Sequence, residues 1–143
     1  MPKALQIDTD GTAEVISLPE DPSSWDRVLK TRLSGAPEPG HYHRQATMYV
    51  HHDGQGAGLQ RNLLATAIAC AWRGLDITYD AAYFLPGRVV VTAAEADKDL
   101  DPLLIEEAQA IAGALGKLLA PGPVAWGEVV AAATRALAGH RTG

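Results

Sequence analysis

Residues 3 to 8 alternate between apolar and polar, the pair Asp10-Gly11 follows, and AEVISL then alternates again, so the pattern predicts a β-hairpin with a tight turn. Asp21-Pro22 is a helix cap followed by proline at the first helical position, and Trp25, Val28, Leu29 and Leu33 then fall on one helical face, with Gly35 as the stop. Residues 35 to 45, GAPEPGHYHRQ, are rich in turn formers and read as a loop. ATMYVHH next has the β-branched and aromatic content of a strand. After the turn DGQGAG, a helix is expected from near Leu59, because Leu59, Leu63, Leu64, Ala67, Ile68 and Ala71 recur at helical spacing. GRVVVTA, residues 87 to 93, reads as a buried strand, whereas DITYDAAYF, residues 76 to 84, fits strand and loop equally. Asp101-Pro102 repeats the cap-then-proline signal ahead of Leu104, Ala108, Ile111, Leu115 and Leu118. Proline and glycine at 121 to 123 break that helix, and Trp126, Val130, Ala133 and Leu137 mark one more before Gly139.

These elements predict an α+β fold: a small mixed or antiparallel sheet with an N-terminal β-hairpin, covered by helices on one side, plus a C-terminal helical hairpin. The 143 residues suit a single domain, with residues 1–95 as an α+β core and 101–139 as a helical hairpin packed on it or on a partner copy. Apolar residues make up 47% and charged residues 20%, which excludes a disordered polyelectrolyte. No apolar run approaches the roughly 20 residues of a bilayer span, and the acidic start MPKALQIDTDG is unlike a secretory signal, so no membrane partner and a cytoplasmic location are expected. The net charge of −5 disfavours a nucleic-acid partner. Cys70, the single cysteine, lies in an apolar run and reads as a small buried hydrophobe.

Three motifs bear on chemistry. QIDTDGT has the Asp-x-Asp-Gly-Thr spacing that haloacid-dehalogenase-type phosphatases place at a strand tip, with Asp8 and Asp10 in the positions of nucleophile and acid. It leads straight into a returning strand, however, and the further carboxylates that magnesium needs do not follow, so a hairpin turn is the reading preferred. Gly35, His41, His43 and Gly54 match the spacing of the first cupin motif, but Thr47 stands where a Glu ligand belongs, and a helix interrupts the strands of that barrel. A divalent-metal site built on His41 and His43, with His51 as a third ligand, remains as a candidate, since a His-x-His pair on an extended segment turns both imidazoles to one side. No other cofactor is implied. Gly54, Gly56 and Gly58 lie between a strand and a helix start, where backbone N–H groups could hold an anion, and Asn62 and Thr66 form a polar pair one helical turn apart, beside the apolar stripe, that could contact a partner.

MYVHHDGQGAGLQRNLLATAI followed by GRVVVTA, together with the opening MPKALQIDTDGTAEVISL, resembles the small actinobacterial and phage proteins of domain-of-unknown-function family 3846 over roughly residues 3 to 95. Asn62, Ala65, Thr66 and Gly87 match its pattern. Ser34-Gly35-Ala36 and His51-His52 depart from the Gly-Gly and the acidic residue usual there. The resemblance implies no chemistry and at most an accessory role in an actinobacterium, phage or plasmid. The function expected is therefore a non-catalytic binding or regulatory protein with a protein partner, a homodimer included. The alternative is a metal-binding, hydrolytic protein using His41 and His43.

Overall fold

The computed structural model describes residues 1–54, 56–74 and 84–142. Strands β1 (Lys3–Ile7) and β2 (Ala13–Ser17) form the expected hairpin, and a short 3₁₀ turn (Pro22–Ser24) leads into α1 (Trp25–Leu33). Strands β3 (Pro37–His43) and β4 (Ala46–His51) follow, then α2 (Leu63–Arg73), β5 (Val89–Ala93), α3 (Pro102–Leu119) and α4 (Trp126–Thr142). The fold is α+β, with one five-stranded sheet in the order β2-β1-β5-β4-β3. Among the described residues all four pairings are antiparallel.

Helices cover both faces of the sheet, which corrects the expectation of a one-sided cover. Side chains alternate along a strand, so Leu5, Ile7, Met48, Val89 and Val91 face α2, α3 and α4 in the larger core. Ala4 and Val90 point the other way and meet Leu18, Trp25, Leu29 and Leu33 under α1. The two cores explain why β5 is buried at every position. Trp25 anchors the smaller core, and its indole Nε1 donates to the Pro19 carbonyl at 2.7 Å, so the ring is buried without leaving its polar edge unpaired. The C-terminal hairpin packs on this chain's own α2, with Ile111, Leu115, Val129, Ala133 and Leu137 joining the sheet residues in one core.

Other boundaries shift for identifiable reasons. The segment 35 to 45 is not a loop throughout, because Pro37–His43 pairs with β4. Helix α2 starts at Leu63 rather than near Leu59, because Asn62 caps it and Arg61 is held in a β-bridge with Pro86. Ser34, in the left-handed region at φ 61°, ends α1 in place of Gly35. Helix α4 runs past Gly139. Of the ambiguous stretch 76 to 84, residues 76–83 lie outside the described residues, and Phe84 belongs to neither a helix nor a strand. Among the described residues, no helix is long and apolar enough to cross a membrane.

Candidate functional site

The Asp-x-Asp-Gly-Thr motif is the turn of the β1–β2 hairpin. Asp8 N–H donates to the Thr12 carbonyl, Gly11 N–H donates to the Asp8 carbonyl, and Gly11 takes φ 89°. The Asp10 carboxylate accepts from both the Thr12 hydroxyl (2.7 Å) and the Thr12 N–H (3.0 Å), and these bonds hold its pKa below the usual carboxylate value. Asp8 pairs with Arg88, beside β5. The Asp10 carboxylate therefore shapes the turn, and that of Asp8 ties it to the residue before β5. Beside it, Thr9 to Gly11 form one lip of an apolar groove of about 280 Å³, floored by Leu63, Leu115 and Leu119.

The candidate metal ligands separate. His41 is exposed on β3. A register irregularity between Gly40 and His43 breaks the alternation that would have set the two imidazoles side by side. His43 stands edge-on against the Trp72 ring at the far end of α2, with centroids 5.5 Å apart, and its Nδ1 accepts from Gln45 N–H. Burial pushes its pKa down, and Glu107 opposes that shift. His51 stacks on His52 at 4.8 Å, while its Nδ1 accepts from Asp53 N–H. Among the described residues, no three His, Cys, Asp or Glu side chains converge as a metal site. His51, His52 and Asp53 instead edge a cleft of about 400 Å³ with Glu38, Tyr42 and Phe84. Burial raises the Tyr42 pKa against the opposing charge of Arg73.

Asn62 and Thr66 are buried, and their hydrogen-bonding groups are turned into the fold. Asn62 Oδ1 accepts from Ala65 N–H as the cap of α2, while Nδ2 donates to the carbonyls of Ile7 (2.9 Å) and Gly87 (2.8 Å). The Thr66 hydroxyl donates to the Asn62 carbonyl and accepts from Leu85 N–H. The glycines of the preceding turn have steric roles too. A Cβ on Gly54 would strike the Pro86 ring, one on Gly56 would strike the Asp53 carboxylate, and Gly58 takes φ 74°. Asn62 and Thr66 thus join β1, α2 and the approach to β5, and the glycines shape the turn ahead of them.

Glu107 went unnoticed in the sequence. It lies on α3 with its side chain 1% exposed, and Oε2 accepts from Arg141 Nε at 3.0 Å, whereas Oε1 is buried without a partner among the described residues. Its position, three residues after Leu104 and four before Ile111, is on the helix's apolar stripe, and that was the available signal.

The two sheet edges differ in a way that matters for partners. In the β1–β2 ladder, Leu18 N–H bonds to Pro2 and Asp8 N–H bonds to Thr12, so even-numbered residues of β2 face β1. Ala13, Val15 and Ser17 consequently turn their N–H and C=O groups outward from the sheet. On β3, the His52 N–H bond to Ala36 gives the even positions to β4, which leaves Pro37 and Pro39 at the outward ones. Proline has no N–H to offer a further strand, so the β3 edge is blocked, whereas among the described residues nothing pairs with the outer side of β2 and that edge is open. Val15 on that open edge is 42% exposed.

No protein-family model, curated protein or solved structure matches this chain, so the resemblance to family 3846 rests on the residues quoted for it.

Proposed function

We propose that this chain is a non-catalytic binding or regulatory protein that acts through contact with another protein. The accessory setting in an actinobacterium, phage or plasmid that the family resemblance implies is part of this proposal. The observation that carries it is the asymmetry of the sheet, one edge stopped by Pro37 and Pro39 and the other open at Ala13, Val15 and Ser17. An open strand edge recruits an added strand through main-chain hydrogen bonds, with alternate side chains setting specificity. The polar groups that first suggest chemistry support the same reading, because Asp8, Asp10, Asn62 and Thr66 all serve turns, caps or ion pairs.

The test is native mass spectrometry of the untagged protein, purified without chelator from its own kind of cell, beside a Val15→Pro variant. Val15 N–H lies outside the β1 ladder, so proline there closes the edge without removing a hydrogen bond of the fold. A stoichiometric protein complex that Val15→Pro dissolves is the expected result. A complex indifferent to Val15→Pro would remove the edge from the account. A bound metal ion lost on changing His41 and His43 to Ala would favour the metal-binding alternative instead.

A further inference from the structure

We propose that the strand completing the β2 edge is β2 of a second copy, joined antiparallel across a two-fold axis at Val15 to make one continuous ten-stranded sheet. This rests on the reading of β2 as a protein-binding edge and names the occupant.

The register of the strand carries the inference. A two-fold through Val15 sets Val15 against the second copy's Val15, Ala13 against its Ser17, and Glu14 against its Ile16. Each outward N–H of Ala13, Val15 and Ser17 then meets an outward carbonyl, so the edge is complementary to itself. Sliding the copies two residues one way puts Glu14 opposite Glu14, a like-charge pair that antiparallel strands disfavour. Sliding the other way leaves Ala13 without its partner. The symmetric register therefore satisfies the backbone fully and moves the two carboxylates from direct opposition to the diagonal spacing of roughly 7–8 Å.

Side chains agree with it. Val15 lies opposite Leu5 on the face that carries α2, α3 and α4, and the dyad brings two β-branched side chains together there, covering one of the few large apolar groups left in water. On the other face, α1 packs chiefly over β3, β4 and β5, so it leaves room beside β2 for the second sheet. Helix α3 packs beside β2 on the Val15 face, and its Leu103, 49% exposed, is a further apolar group on the helix that would approach its symmetry mate. The paired strands are short, only five residues each, so an association in the micromolar range is expected rather than an obligate dimer.

Sedimentation velocity from about 1 to 300 µM, a range set to bracket a micromolar Kd, should show a reversible monomer–dimer equilibrium for the full chain. Val15→Pro should weaken it about tenfold or more while circular dichroism and unfolding stay those of a folded protein. Register is read separately by disulfide trapping. In Val15→Cys the two sulfur-bearing residues face each other with Cα atoms about 5.5 Å apart, within disulfide reach, so mild oxidation should give a covalent dimer. Glu14→Cys, opposite Ile16 and not itself, should trap far less, and buried Cys70 should stay out of the reaction.

A wild-type chain that stays monomeric at the highest concentration, with no trapping through Val15→Cys, would overturn the self-pairing. A dimer that Val15→Pro leaves intact would overturn it as well, by placing the contact elsewhere. If self-pairing fails but a Val15→Pro-sensitive complex with a different protein is present in the native material, β2 remains the binding edge and only its occupant changes. If neither is found, the edge reading falls with it.

Discussion

Asn62 Nδ2 donates to the Gly87 carbonyl at 2.8 Å, tying the cap of α2 to a residue 25 positions later on the approach to β5. The same nitrogen holds the Ile7 carbonyl at the end of β1, so one buried amide gathers three segments that are distant in sequence. Asn62→Ala removes the cap, worth about 1 kcal/mol, and leaves two carbonyls unsatisfied at about 1 kcal/mol each. A loss of about 3 kcal/mol in urea unfolding is expected. Asn62→Asp keeps the cap acceptor but forfeits both donors and should be at least as damaging. A cost below about 1 kcal/mol for Asn62→Ala would mean that water replaces the amide and that the three-way tie is not a fold determinant.

Much of the fold was legible because its signals are local. Asp101-Pro102 opens α3 as the cap-and-proline pair it resembles, Asp21-Pro22 does so for the 3₁₀ turn ahead of α1 and not for α1 itself, and the Asp10-Gly11 hairpin forms where alternation placed it. What escaped depended on neighbours. Pro37 and Pro39 mark a loop by composition, yet they sit in a strand because their missing N–H groups face outward from an edge, a distinction that needs the strand order. The run Val89 to Val91 did hold the clue that both faces of the sheet are covered, since an uninterrupted apolar strand has no wet side. In the sequence Asn62 and Thr66 stand out only as a polar pair one helical turn apart. That their partners are Ile7, Leu85 and Gly87 is a tertiary fact that local pattern does not encode. His41 and His43 looked paired on the assumption of regular alternation, which the irregular register near Gly40 removes.

The ion pair of Glu107 with Arg141 is lopsided, one side chain buried and the other half exposed. Removing one member of a buried pair costs about 3–5 kcal/mol, and the exposure of Arg141 reduces this to an expected loss of about 2 kcal/mol for Arg141→Ala. Glu107→Leu removes both the charge and the unpartnered Oε1, so it should be close to neutral. In that background Arg141→Ala should cost almost nothing. A double-mutant cycle by urea unfolding measures the coupling, and equal effects of Arg141→Ala in both backgrounds would show that the ion pair contributes no stability.

His43 predicts a pH dependence. Burial, the largest influence, holds its folded pKa below the ordinary 6.5, reinforced by Arg141 and Arg44 and opposed by Glu107 and Asp101. The unfolded chain thus binds a proton more readily than the folded one, so stability falls as pH drops through about 6.5 and levels off below the folded pKa. His43→Asn should flatten the unfolding free energy across that window while leaving the steeper losses of the carboxylate range. A wild-type curve flat between about pH 7 and 5.5, or a slope unchanged in the variant, would assign the proton uptake to another group.

Cys70 offers a way to time the opening of the core. Its side chain is buried in α2 and burial raises its pKa above the ordinary value, so the native thiol is both inaccessible and protonated. Reaction with an aromatic disulfide should then require unfolding of α2 from the sheet. An opening free energy of about 4 kcal/mol would make labelling about a thousandfold slower than in denaturant. Because Asn62 caps the same helix, Asn62→Ala should accelerate labelling by the factor its lost stability dictates, about a hundredfold for 3 kcal/mol. Equal acceleration in labelling and in global unfolding would show that α2 opens only with the whole domain. Labelling that outruns the global change would identify α2 as a unit that lifts off by itself, and labelling near the free-thiol rate in the wild type would contradict the buried position of Cys70.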